Sequence, residues 1–182
     1  MSGQDNERRD HAAWAAARQE PQDHAAELAE LAAQEEHLVL PGFGPDDAWR
    51  LGTLLVDLAK GRGAPVAIDI HHGAQQLFHA ALPGATPDNA EWIARKRRVV
   101  ERYQQSSYRV GTHHRARGTT FEEATRLDPA VYAAHGGSFP LRVRGTGVVG
   151  AVTVSGLPQK EDHDLVVTAL TRFLDGAGAA AG

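Results

Sequence analysis

The chain contains no cysteine, which removes disulfide scaffolds, thiol nucleophiles, zinc fingers and cysteine-ligated iron–sulfur clusters together. Long apolar runs are missing too: nothing approaches the ~20 residues that span a bilayer, and the opening MSGQDNERRD lacks the apolar core of an export signal. A cytoplasmic protein without a membrane partner is therefore expected. There is no P-loop, Gly-x-Gly-x-x-Gly fingerprint or Gly-x-Ser-x-Gly elbow, so nucleotide hydrolysis, dinucleotide redox chemistry and ester hydrolysis lose their usual support. Ten histidines are present, but His71-His72 and His113-His114 are adjacent pairs that point apart on a strand, and no His-Glu-x-x-His helix occurs. A dedicated zinc or non-haem iron site is not expected. What is present is ordinary for a globular protein: 182 residues, 42% hydrophobic and 23% charged, with a net charge of −4.

Charge is unevenly spread. Residues 1–36 carry nine acids and three bases, and residues 91–117 carry eight bases and two acids. A basic stretch inside an acidic protein suits a small anionic ligand or an acidic partner surface. Nucleic-acid binders are usually basic over a whole domain, so none is expected here. The polar, alanine-rich residues 1–20 read as a flexible arm, residues 21–175 as the folded domain, and residues 176–182 (GAGAAAG) as a tail. Within the domain, a helix is expected from Pro21, a strand over His37–Leu40, and a helix from Pro45 to Gly61. A hairpin follows over Pro65–His71 and Ala74–Ala81, then a long basic helix from about Asp88 to Gln105. The segment holding Ser106, Ser107, His113 and His114 reads as mixed, followed by a short helix at Thr120–Arg126 and a helical turn at Asp128–Ala134. A second hairpin spans Ser138–Arg144 and Gly147–Ser155, and a last helix covers Pro158–Leu174. Hairpins interleaved with helices give an α/β (α+β) fold with an antiparallel or mixed sheet.

Candidate site residues come from the places where pattern and chemistry disagree. At ~100° per residue the basic helix puts Trp92, Ile93, Val99, Val100 and Tyr103 on one face, with Asn89 and Lys96 inside the same stripe. A lysine there must snorkel, pair with a carboxylate or meet an anionic ligand in a pocket. Arg95, Arg97 and Arg98 could clamp a carboxylate or phosphate, or form a solvated or subunit-facing surface. Asp88 at the helix start reads as a cap. His135, before Gly136-Gly137, could ligate iron, transfer a proton or simply pack. The Ser155-Gly156 turn, followed by Asp162 and His163 on the last helix, could cradle an anion or be purely structural.

Three segments, LPGATPDNAEWIARKRRVVERYQQSSY, AHGGSFPLRV and GVVGAVTVSGLPQKEDHDLVV, occur in this order and together resemble the haem-degrading-domain family that includes the GlcG and HbpS-like proteins, in its uncharacterised branch. The resemblance covers roughly residues 25–175. It implies a profilin-like sandwich, a mostly antiparallel five-stranded sheet flanked by helices, assembled as a homo-oligomer of two or more copies. Haem or a related tetrapyrrole is the implied ligand, with His135 as its axial metal ligand and Arg97 or Lys96 pairing its propionates; any degradation would be oxidative chemistry carried by the iron. The expected ligand-binding set is thus Asn89, Trp92, Lys96, Arg97, His135, Ser155, Gly156 and His163. Three functions stay open: a small-ligand-binding protein, an enzyme acting on a small anionic metabolite, and an interaction protein whose basic helix is a subunit interface.

Overall fold

The computed structural model describes residues 21–179; the arm expected over residues 1–20 lies outside them. In chain order the elements are α1 (Pro21–His37), β1 (Val39–Leu40), α2 (Pro45–Gly61), β2 (Ala67–His72), β3 (Gln75–Ala81), α3 (Pro87–Tyr103), α4 (Ser107–Arg115), α5 (Phe121–Thr125), β4 (Ser138–Val143), β5 (Gly147–Ser155) and α6 (Gln159–Ala179). The five strands form one sheet in the order β1-β4-β5-β2-β3. All neighbours are antiparallel except β1, which runs parallel to β4.

The sheet has two chemically different faces because alternate residues of a strand point opposite ways. Ile68 and Ile70, Phe139 and Leu141, and Val152 and Val154 turn to one side, where Leu51 and Leu55 of α2 and Leu165, Ala169 and Leu170 of α6 complete the main core. The opposite face is small and polar: Ala67 is paired with Ser155, Asp69 with Thr153 and His71 with Ala151. Over this second face lies α3. Small side chains there keep the helix close, and Val99 joins Val110, Phe121 and Ala134 in a second, smaller apolar cluster.

Helix starts follow local chemistry. Pro45 and Pro87 each occupy the first turn, where a missing N–H costs nothing. Thr86, not Asp88, is the N-cap of α3, and its backbone N–H donates to Asn89 Oδ1 at 2.7 Å. Asp88 instead accepts a hydrogen bond from Trp92 Nε1 at 3.1 Å. The segment expected to be mixed is a helix, α4: Ser106 caps it by accepting from Arg109 N at 3.2 Å, and its buried face is Ser107, Tyr108, Val110, Gly111 and Thr112. That face carries too little apolar bulk to show a helical period in sequence. Gly111 is required by packing, since a Cβ there would lie 2.1 Å from the Ala134 carbonyl oxygen. The helical turn expected at Asp128–Ala134 is a single turn closed by Val131 N and Tyr132 N donating to Asp128 O. At the other end, α6 runs through Ala179, beyond the point where the tail was expected to begin.

Candidate functional site

β5 ends at Ser155, the chain turns through Gly156, and α6 begins beside the N-terminal half of α3. These segments, with the loop before β4, enclose a cavity of about 220 Å3 lined by Asp88, Asn89, Trp92, Lys96, His135, Ser155, Gly156, Leu157, Gln159 and Asp162. Glycines make the closeness possible. Gly156 has φ 149°, and a Cβ on it would lie 2.4 Å from the Pro65 carbonyl oxygen; Gly137, at φ 119°, leaves only 2.9 Å between such an atom and Lys96 Nζ.

Lys96 decides the character of the cavity. It is 3% exposed, and its ammonium donates to Asp162 Oδ2 at 2.8 Å and to the Val154 carbonyl at 3.2 Å. Asp162 is as deeply buried; its other oxygen accepts from Leu157 N at 3.0 Å, so the carboxylate also ties the turn to the helix. Burial pushes the Lys96 amine below the ordinary lysine range against the opposing pull of Asp162, and burial likewise raises the Asp162 carboxyl against the pull of Lys96. The two shifts together narrow the gap for proton transfer between the partners. An ammonium has three N–H donors, and among the described residues two find acceptors, leaving the third without one there.

At the mouth, the His135 ring packs edge-on against Trp92 with centroids 5.1 Å apart. Although the residue is exposed at its rim, loss of water around the ring holds its pKa down; Glu122 opposes this, while Lys96, Arg115 and Arg95 add to it. The balance favours the neutral form of the His135 ring. Arg95 covers Trp92, its guanidinium 4.0 Å from the ring centroid.

Residues 43–171 match the family described as haem degrading protein HbpS-like. The chain belongs to the HbpS-like family. Among relatives, a UPF0303 protein of Streptomyces coelicolor is 69% identical over 150 residues, covering 82% of this chain and 95% of the relative. A UPF0303 protein of Edwardsiella ictaluri is 54% identical over 147 residues, covering 81% and 94%. Of solved structures, that of the Ybr137w protein superposes with a TM-score of 0.76 at 34% identity, covering 82% of this chain and 88% of that one. A haem complex of PduOC superposes at 0.61 with 18% identity over 71% and 94%, a likeness of fold.

Within this HbpS-like chain, six of the eight residues expected at the site line the one cavity: Asn89, Trp92, Lys96, His135, Ser155 and Gly156. Two do not. Arg97 pairs with Glu101 on its own helix and lines a different cleft of about 480 Å3, together with Gly73, Ala74, Gln104 and Val148–Gly150. It is one residue, ~100° of helix, away from Lys96. His163 is buried between Tyr108 and Phe139, ring centroids 5.1 and 5.9 Å away, and its Nε2 bonds Gln34 Oε1 at 2.8 Å. Four lining residues were outside the expected set, Asp88, Leu157, Gln159 and Asp162, and of these Asp162 pairs with Lys96. The signal for it was the need of a buried lysine for a carboxylate, but Asp162 lies 66 residues further along the chain.

Proposed function

We propose that this HbpS-like protein binds a small polar molecule in the α3–α6 cavity, and that a hydrogen-bond acceptor on the ligand, such as a carboxylate or carbonyl oxygen, meets the third N–H of Lys96. The supporting observation is the buried Lys96 ammonium with two protein acceptors and a cavity beside it. The expected small anionic ligand is one case. The lining holds one cation, Lys96, against the carboxylates of Asp88 and Asp162, while the starts of α3 and α6 add partial positive charge; the near balance lets a neutral acceptor compete with an anionic one. The probes are acetate, pyruvate and acetaldehyde, titrated separately into 15N-labelled protein. Saturable shifts confined to Asn89, the Trp92 indole N–H and Gly156–Leu157 are expected with at least one. No saturable shift with any of the three overturns the reading.

Haem is a second reading, favoured by the family and by His135: a neutral imidazole, open to solvent at the rim, is what axial ligation requires. The cavity itself does not fit a porphyrin, since about 220 Å3 is below the roughly 300–1,000 Å3 of pockets that enclose drug-sized ligands. Arg97, one of the two expected propionate partners, is also paired with Glu101 and lines a different cleft. His135 would hold a tetrapyrrole at the mouth, and its iron would supply the oxidative chemistry. A haemin titration followed at the Soret band, with native mass recorded in the same buffer to test the expected homo-oligomer, should saturate at one per subunit in wild type and fail in His135→Ala. A response indifferent to that substitution removes haem from this site.

A further inference from the structure

The sequence contains only three lysines, Lys60, Lys96 and Lys160. Two are exposed, and Lys160 is paired with Asp164 on the surface of its own helix. Lys96 alone of the three is withdrawn from water, and it borders the α3–α6 cavity. Buried lysines whose charged form is disfavoured serve as amine nucleophiles toward carbonyl groups. Three things are required: an amine at a cavity wall, a nearby group that can take and return its proton, and room for the electrophile alone.

All three are present. Asp162 Oδ2 lies 2.8 Å from Lys96 Nζ, close enough for direct proton transfer. The cavity volume, about 220 Å3, is close to that of seven waters at about 30 Å3 each, which suits a molecule of a few heavy atoms. Gly137 leaves room for Nζ beside Asp162, because any side chain there would begin 2.9 Å from it.

Resting on the small-ligand reading above, we propose that Lys96 condenses with the carbonyl group of a small aldehyde or ketone in this cavity, forming an iminium and releasing water. Nζ first gives a proton to Asp162, and its lone pair then forms the N–C bond while the carbonyl π pair moves onto oxygen. Asp162 returns the proton to that oxygen, removes a second one from nitrogen, and delivers it to the hydroxyl as the C–O bond breaks and water leaves. Ammonium plus carbonyl gives iminium plus water, and Asp162 ends as it began, a carboxylate beside a cation. No oxidant or reductant takes part.

The test is reductive trapping of the intact protein at pH 7 with sodium cyanoborohydride and, in separate arms, acetaldehyde as a neutral carbonyl and pyruvate as an anionic one, read by peptide mapping. Lys60 and Lys160 are internal controls for unselective reaction. Labelling of Lys96 at least about tenfold faster than either in one arm is expected, falling about tenfold in Asp162→Asn while the controls hold steady. Labelling spread evenly, or confined to Lys60 and Lys160, overturns the proposal, and the wild-type comparison stands even if Asp162→Asn fails to fold. Saturable NMR shifts without a Lys96 adduct sink the imine and leave the binding site; absence of both sinks the two together.

Discussion

Two faces of α3 make opposite use of adjacent cations. On one, Lys96 borders the smaller cavity and pairs across the fold with Asp162; both side chains are under 5% exposed. One residue on, Arg97 borders a cleft of about 480 Å3, roughly twice the size, yet pairs within its own helix with Glu101, whose side chain is 42% exposed. The larger opening is thus the chemically quieter one. An i,i+4 pair at the surface is screened by water and leaves little free energy to redirect, whereas a pair taken out of water is held only by its own geometry and shifts the proton affinity of both members. Withdrawal from water, more than cavity size, distinguishes the candidate site.

The largest expected effect breaks this comparison at its strong end. Lys96→Met keeps the unbranched stem of the side chain but leaves Asp162 buried and without its counter-charge, a change that costs about 3–5 kcal/mol. Urea unfolding at pH 7 measures it. Because burial already raises the Asp162 carboxyl, protonation relieves the lone carboxylate, so the loss should shrink as the pH is lowered. A cost below about 1 kcal/mol would put Lys96 among surface pairs and erase the contrast between the two faces.

The next effect sharpens the comparison within α6, where Asp162 faces the cavity and the next residue, His163, faces the core. Burial holds the His163 imidazole down to about 4 from an ordinary 6.5, and its Nδ1 has no hydrogen-bond partner among the described residues. Between those values the unfolded chain binds a proton that the folded one refuses, so stability falls as pH drops from 6.5 towards 4. At ~1.4 kcal/mol per unit the loss approaches about 3 kcal/mol near pH 4. His163→Phe should flatten this part of the stability-versus-pH curve, measured as urea midpoints at several pH values. An unchanged slope would assign the acid sensitivity to other groups.

Local rules made much of this legible. Thr86-Pro87 marks the start of α3, the 3.6-residue stripe through Trp92, Ile93, Val99 and Val100 marks its inner face, and Lys96 stands out because it interrupts that stripe with a charge. The hairpins were readable from β-branched runs broken by His72-Gly73 and Gly145-Thr146. What escaped depends on direction or distance. Arg97 and His163 were grouped with Lys96 and Asp162 by neighbourhood in sequence, but a single step along a helix turns a side chain by ~100°. Asp162 could not be matched to Lys96 because β4 and β5 must first bring α6 beside α3. The parallel pairing of β1 with β4 rests on two residues, Val39 and Leu40, too few to announce a partner. Helix α4 was hidden because packing against Ala134 demands glycine where a helix pattern would show bulk.

The smallest expected effect tests the weak end of the comparison. Arg97→Met removes a cation from a pair whose other member, Glu101, already faces water, so no charge is stranded. The same change deletes the Arg97 Nε–H, a buried donor without an acceptor among the described residues, whose desolvation cost is recovered when it is gone. The side chain's aliphatic stem is replaced by another of similar length, which preserves the packing beneath it. Stability should therefore move by no more than about 1 kcal/mol in either direction, and labelling at Lys96 should stay at the wild-type rate. A loss as large as that of Lys96→Met would show that the cleft beside Arg97 depends on its charge as heavily as the cavity depends on Lys96, and that burial alone does not separate the two faces of α3.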